Sequence, residues 1–282
     1  MKTILVTGGR GQLGSCIKEI KDDNYNIIYT DYDQLDISDL NQVNLFFESQ
    51  QIDYCINCAA YTAVDHAEQE QEKAYQINEL GAKNLALACK THHTTLIHIS
   101  TDFVFDGEET GSYTEIDDTH PISVYGDSKL KGEIAIKEIL EKYFIIRTSW
   151  LYSEHGNNFL KTMLRLAEDR NVLNVVGDQI GTPTYAPDLA DVIYKIIKTE
   201  SVDYGLYHFS NEGVASWYDF AKAIFRIKGK EIKVNAINTI AYPTPAKRPK
   251  FSVLDKTKIK NTLNVEIPYW GDSLKTCMDK LL

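Results

Sequence analysis

Residues 3–14 read TILVTGGRGQLG, and this stretch decides the fold. Residues 3–7 form a short apolar run, which reads as a buried strand. Glycines follow at 8, 11 and 14, and Leu13 to Ile20 carries helical spacing. A strand, a G-x-x-G-x-x-G turn and a helix in that order form the phosphate-binding unit of a dinucleotide fold. Glycine permits the tight turn and the close approach of backbone N–H groups to a pyrophosphate. The helix N-terminus adds the positive end of its dipole.

The same rhythm continues outward. Residues 26–30, 54–57, 96–100 and 143–149 read as further strands, with helical patterns over 40–47, 68–90 and 125–142 between them. Such alternation predicts an α/β protein built on a doubly wound, parallel Rossmann sheet with right-handed crossovers. After Trp150 the pattern changes. Gly and Pro gather in GDQIGTPTYAP (177–187) and AYPTPAKRP (241–249), and the helical patterns shorten. We expect a dinucleotide-binding part over 1–150 and a smaller, mixed α/β substrate-binding part over 151–282, closely packed and with segments free to interleave.

Forty acidic residues against 30 basic ones leave a net charge of −10, which repels a nucleic acid backbone. The first apolar run is too short for a signal peptide, and no window approaches the ~18 apolar residues of a membrane helix. The expectation is a cytoplasmic protein that meets neither nucleic acid nor membrane. A homodimer is compatible with the sequence, which sets no oligomeric state. Cys55 and Cys58 form a C-x-x-C, but residues i and i+3 of a strand point to opposite faces. No second such pair completes a zinc site. They read as small buried hydrophobes.

Asp31 ends the second strand, 17 residues past Gly14. An acid there bonds ribose hydroxyls and favours NAD. Arg10 argues the other way, since it suits a 2′-phosphate, so the preference between NADH and NADPH stays open. Asp36, Ile37, Ala59, Ala60 and Tyr61 fall just past the second and third strands, at the carboxyl edge where a dinucleotide lies.

STDFVFDG (100–107) puts two hydroxyls and a carboxylate at the end of a core strand. Tyr125 and Lys129 follow in YGDSK, spaced i, i+4 and so on one helix face. A phenol has a pKa near ~10, poor for proton transfer at neutral pH. A neighbouring ammonium lowers it. With Thr101 holding the substrate oxygen, Tyr125 moving the proton and Lys129 tuning it, this is the layout of a nicotinamide-dependent carbonyl reductase.

Taken with CAAYTAVDHAE (58–68), RTSWLY (147–152), GNNFLKTMLRLA (156–167), DQIGTPT (178–184) and AYPTPAKRP, these motifs resemble the extended short-chain dehydrogenase/reductases, and within them the dTDP-4-dehydrorhamnose reductase family. The resemblance runs from Ile4 to about Trp270. It implies the last step of dTDP-L-rhamnose synthesis, in which hydride from NADPH or NADH reduces C4 of dTDP-4-dehydro-β-L-rhamnose. It also implies that Gly11, Gln12, Leu13, Asp31, Asp36, Ile37, Ala60, Tyr61, Thr62, Tyr125 and Lys129 contact the cofactor. Thr101, Asp102 and Trp150 would face the sugar nucleotide. Asn158 caps the next helix or reaches the sugar hydroxyls. Arg248, between Lys247 and Lys250, suits a diphosphate clamp. Magnesium occurs in some relatives, but no clear ligand set is visible. Asp65 and Glu68 read as helix N-terminal charges.

Two other readings compete. A sugar-nucleotide epimerase shares the glycine loop and Tyr-x-x-x-Lys but shows no net cofactor turnover. A non-catalytic regulatory subunit, such as that of methionine adenosyltransferase, resembles the same family. The intact set of Thr101, Tyr125 and Lys129 argues against a purely binding role.

Overall fold

Ile4 to Thr7 are all buried, as a central strand of a parallel sheet requires. In chain order the first half of the computed structural model, which describes residues 1–281, comprises β1 (Lys2–Thr7), α1 (Gln12–Glu19), β2 (Tyr25–Thr30), α2 (Leu40–Ser49) and β3 (Tyr54–Asn57). There follow α3 (Val64–Ala67), α4 (Gln71–Tyr75), α5 (Ala82–Thr91), β4 (Thr95–Thr101), α6 (Val124–Ile139) and β5 (Tyr143–Thr148). The second half holds β6 (Leu151–Tyr152), α7 (Phe159–Asp169), β7 (Val172–Val176), β8 (Ile180–Gly181), β9 (Thr184–Tyr185) and α8 (Ala186–Lys198). It ends with β10 (Gly205–His208), β11 (Ala215–Ser216), α9 (Trp217–Lys228), β12 (Lys233–Ile237), α10 (Thr257–Leu263) and α11 (Trp270–Leu281).

Six strands form one parallel sheet in the order β10-β5-β4-β3-β1-β2. Alternation along each strand feeds two cores. Ile4 and Val6 pack with α1 and α8 on one face, while Leu5 and Cys55 pack with α2 and α5 on the other. Cys58 lies on the Ile4 face, opposite Cys55, and both thiols are free.

The helical pattern over 68–90 is met by an unbroken helical run from Gln71 to Thr91 that changes its winding midway. Between α4 and α5 a π-helical turn spans Gln76–Gly81. There the Asn78 side chain leaves the helix pattern to bond both backbone groups of Tyr61 and the Ser128 hydroxyl. That tertiary demand sets the turn, and periodicity alone does not register it.

The sixth strand, β10, comes from beyond Trp150, and α8 packs against α1. Residues 186–208 therefore complete the dinucleotide sheet although they fall within 151–282. The rest of that segment gathers α7, α9 and α11 around a second core beside short strand pairs. No helix among the described residues is long and apolar enough to cross a membrane.

Candidate active site

The carboxyl ends of β1, β3 and β4 open into a cleft of ≈ 760 Å³. At one end lies the glycine turn. Gly8 has φ +65°, and a Cβ there would stand 2.7 Å from the Ala59 nitrogen, so only glycine fits. Gly11 caps α1 with no side-chain cap and no acid in the first turn. The first N–H groups of α1 are thus left for an anion. Asp31 waits at the end of β2, its two oxygens taking the N–H groups of Arg10 (3.0 Å) and Tyr32 (3.0 Å). Burial pushes the Asp31 carboxyl up, but these N–H bonds and the Arg10 guanidinium outweigh it and hold it below the usual range. An uncapped helix start, a glycine cradle and a ribose acceptor fit a nicotinamide dinucleotide.

At the other end stand Thr101, closing β4, and Tyr125 and Lys129 on the first turns of α6. Ser123 caps α6 by accepting from the Gly126 N–H at 3.2 Å. The Tyr125 ring meets Phe103 edge-on at 5.5 Å. The Thr101 hydroxyl accepts from the Phe103 N–H and lies 3.1 Å from Asp102 Oδ1. Asp102 Oδ2 is buried with no hydrogen-bond partner among the described residues.

Electrostatics here follow dehydration first. Burial pushes the Tyr125 phenol up to about 12, with the Thr101 hydroxyl pulling it down and Asp102 pushing it further up. Burial raises Asp102 to about 6 against the Ser252 and Thr101 hydroxyls. Burial also lowers Lys129 to about 8, opposed by Glu133. The expectation that Lys129 holds the Tyr125 phenol low is not met here. Its Nζ donates instead to the Ile99 carbonyl at 2.6 Å and sits 3.4 Å from His98 Nε2.

Most residues singled out from sequence line this cleft. Gly8, Gly11, Gln12, Leu13, Gly14, Asp31, Asp36, Ile37, Ala60 and Thr62 line the cofactor end, and Thr101, Asp102, Tyr125, Lys129, Trp150 and Arg248 the rest. Three residues lie elsewhere. Tyr61 turns its ring toward Ala67 and Ala74, because its hydroxyl bonds Glu70 at 2.7 Å. Arg10 lies at the exposed rim, its guanidinium paired with Asp33 and near Asp31. Asn158 caps α7 by accepting from the Lys161 N–H, and its amide donates to Gln12 Oε1 at 2.8 Å. It is Asn157 that reaches the cleft.

Asp65 stands in the first turn of α3 as an N-terminal charge without a cap bond there, and Glu68 serves the N-terminus of another helix, α6. Asp65 pairs with Arg248 across 183 residues, and Glu68 Oε1 takes the Val124 N–H at 2.9 Å at the start of α6. Trp150 adopts φ +47°, a strained backbone for a bulky residue. Its indole stacks on Trp217 at 3.6 Å, and a Cβ on Gly181 would meet it at 2.8 Å. Trp217 covers one face of the indole, and Trp150, half-buried, lines the cleft. Trp217, Cys58, Thr148 and Ser149 also line the cleft. Trp217 had one legible signal, the Ser216/Asp219 capping box that starts α9 beside it. Among the described residues the group with metal-ligand spacing is Cys16, Glu154 and His155, and none of them lines the cleft.

A family model described as the RmlD substrate binding domain matches residues 1–282. A dTDP-4-dehydrorhamnose reductase of Aggregatibacter actinomycetemcomitans is 46% identical, over 98% of each chain. The structure of a dTDP-4-dehydrorhamnose reductase of Clostridium acetobutylicum superposes with TM-score 0.96 at 46% identity, covering 99% of each chain. That of the Bacillus anthracis reductase, in complex with NADP, gives 0.95 at 42% identity, covering 99% of this chain and 100% of that one. Full-length matches of this strength carry one conclusion: the chain belongs to the dTDP-4-dehydrorhamnose reductase family.

Proposed function

We propose that this protein reduces the C4 keto group of dTDP-4-dehydro-β-L-rhamnose to dTDP-β-L-rhamnose, using NADPH or NADH. The observation that carries this reading is the meeting of Thr101, Tyr125 and Lys129 in the same cleft as a glycine cradle. Bound there, the reduced nicotinamide supplies a hydride.

The residues do the rest. Gly11, Gln12 and Leu13 present N–H groups to the diphosphate, and Asp31 accepts from the ribose. Thr101 donates a hydrogen bond to the C4 oxygen and fixes its position. Tyr125 delivers the phenolic proton to that oxygen as it gains negative charge. A phenol held near 12 is a weak acid in the resting site. It transfers its proton only to a strongly basic oxygen, as the developing alkoxide is. Lys129 stands one turn on and restores the proton. Arg248 faces the substrate phosphates from the cleft wall, with Asp65 holding its fork in place. The cytoplasm, where reduced nicotinamide and sugar nucleotides are found together, is the compartment this reading requires.

The test follows the absorbance of NADPH, or separately NADH, mixed with purified protein and dTDP-4-dehydro-L-rhamnose. Loss of absorbance with dTDP-L-rhamnose as product supports the reading. A folded protein that binds the dinucleotide but oxidises neither form contradicts it.

A further inference from the structure

Thr7, Asn57 and His98 stand side by side across β1, β3 and β4, since the register pairs Thr7 with Asn57 and Asn57 with His98. All three are buried. Their side chains form a continuous chain that ends on Lys129. The Thr7 hydroxyl donates to Asn57 Oδ1 at 2.7 Å. Asn57 Nδ2 lies 3.0 Å from His98 Nδ1, and His98 Nε2 lies 3.4 Å from Lys129 Nζ. Nothing in the reductase mechanism above uses His98.

Each link constrains the next. Asn57 Oδ1 also accepts the backbone N–H of Ala59 at 3.2 Å. A backbone N–H can only donate, so the amide cannot turn over, and Asn57 Nδ2 must face the imidazole. An amide NH₂ can only donate, so His98 Nδ1 must accept. Burial, the largest cause, pushes the His98 pKa well down, so the ring is neutral and carries one proton. That proton therefore sits on Nε2 and points at Lys129 Nζ. An ammonium there would set two donors against each other. A neutral amine offers a lone pair and accepts.

From this the geometry points to His98 as a positioning residue: held in its Nε2–H tautomer by Asn57, it stabilises the amine that remains when the Lys129 ammonium gives up a proton, and so makes that ammonium a proton donor rather than a fixed cation. The inference rests on the reductase reading, in which Lys129 restores the proton spent by Tyr125. The other charged or titratable groups around Lys129 are Tyr125 and Glu133 on its own helix and Cys58 beyond β3. Glu133 favours the ammonium but is spent on Arg147, at 2.9 and 2.7 Å.

Two measurements test this, and neither needs turnover. In ¹⁵N-labelled protein, the imidazole shifts of His98 should show Nε2 protonated and Nδ1 bare. A proton on Nδ1, or on both nitrogens, overturns the proposal. The Lys129 Nζ titration should then move up by about one pH unit in His98→Leu. It should return toward the wild-type value in His98→Gln, whose amide can donate from the Nε2 position. An unmoved Lys129 titration in His98→Leu also overturns it. In the active enzyme the alkaline limb of kcat should shift with the titration, whereas a merely structural His98 would lower kcat and Tm without moving the limb. Failure of the reductase reading would appear separately, as the expected tautomer and titration in a protein that oxidises no nicotinamide.

Discussion

Gly126 and the Phe103 carbonyl stand closer than any side chain allows: a Cβ on Gly126 would lie 2.1 Å from that oxygen. The contact seats α6 on the turn after β4, and it is what brings Tyr125 to Thr101. Gly126→Ala must push the helix away. Misplacing a catalytic group by about 1 Å costs on the order of 10²-fold in rate. We expect that loss in kcat with a stability cost of about 1–3 kcal/mol. Wild-type kcat in a folded Gly126→Ala protein would show that the seating of α6 does not govern the chemistry.

Tyr125→Phe removes one hydroxyl and leaves the ring against Phe103. Steady-state kinetics should show kcat lower by roughly 10²- to 10⁴-fold, the usual worth of a general acid. Tm by calorimetry should stay near wild type. Unchanged turnover would remove Tyr125 from the proton-donor role.

Arg248 meets Asp65 through two parallel bonds, 3.0 and 2.8 Å, and also donates to Thr244 and Ala246. The pair ties α3 to the loop before α10 at the cleft wall. Arg248→Ala should raise KM for the sugar nucleotide about tenfold, with a smaller change in kcat, since a ground-state phosphate contact is lost. Arg248→Lys should not rescue it, because an ammonium cannot reproduce the two-point fork. A normal KM in Arg248→Ala would leave the residue a loop tie only.

Glu133 is wholly buried, bonded by Arg147 and by the Ser100 hydroxyl at 2.5 Å. Burial pushes its carboxyl up, but Arg147 and its other partners outweigh that and hold it below the ordinary value. A depressed carboxylate stabilises the fold above the unfolded pKa of about 4.3, and that contribution is lost as pH falls further. Glu133→Gln should cost roughly 3–5 kcal/mol at neutral pH by leaving Arg147 unpaired. The penalty should shrink below about pH 4, where the wild type loses the same pair. Denaturant midpoints at pH 7 and pH 3.5 decide it. An equal cost at both would mean that the charge on Glu133 is not what matters.

The sheet was legible because its strands are buried on both faces and read as short apolar runs such as residues 3–7. The cofactor end was legible because glycine at 8, 11 and 14 has a steric reason. Tyr125, Lys129 and Thr101 were legible because reaction chemistry demands those groups at those spacings. Long-range pairing was not. Tyr61 and Asn158 have the right neighbours in sequence, yet Glu70, Gln12 and the start of α7 claim their polar atoms. The π-helical turn at Gln76–Gly81 answers to the Asn78 contacts, which only the folded chain shows. The phenol of Tyr125 was expected low and stands high, because dehydration is a property of the assembled cleft.

The most direct measurement follows the hydride itself. NADPH carrying deuterium at nicotinamide C4, on the transferred face, is incubated with the protein and dTDP-4-dehydro-L-rhamnose, and the product is read by NMR. The account predicts dTDP-L-rhamnose with deuterium at sugar C4 and one equivalent of oxidised cofactor. An unlabelled or epimerised sugar, with the cofactor left reduced, would contradict it.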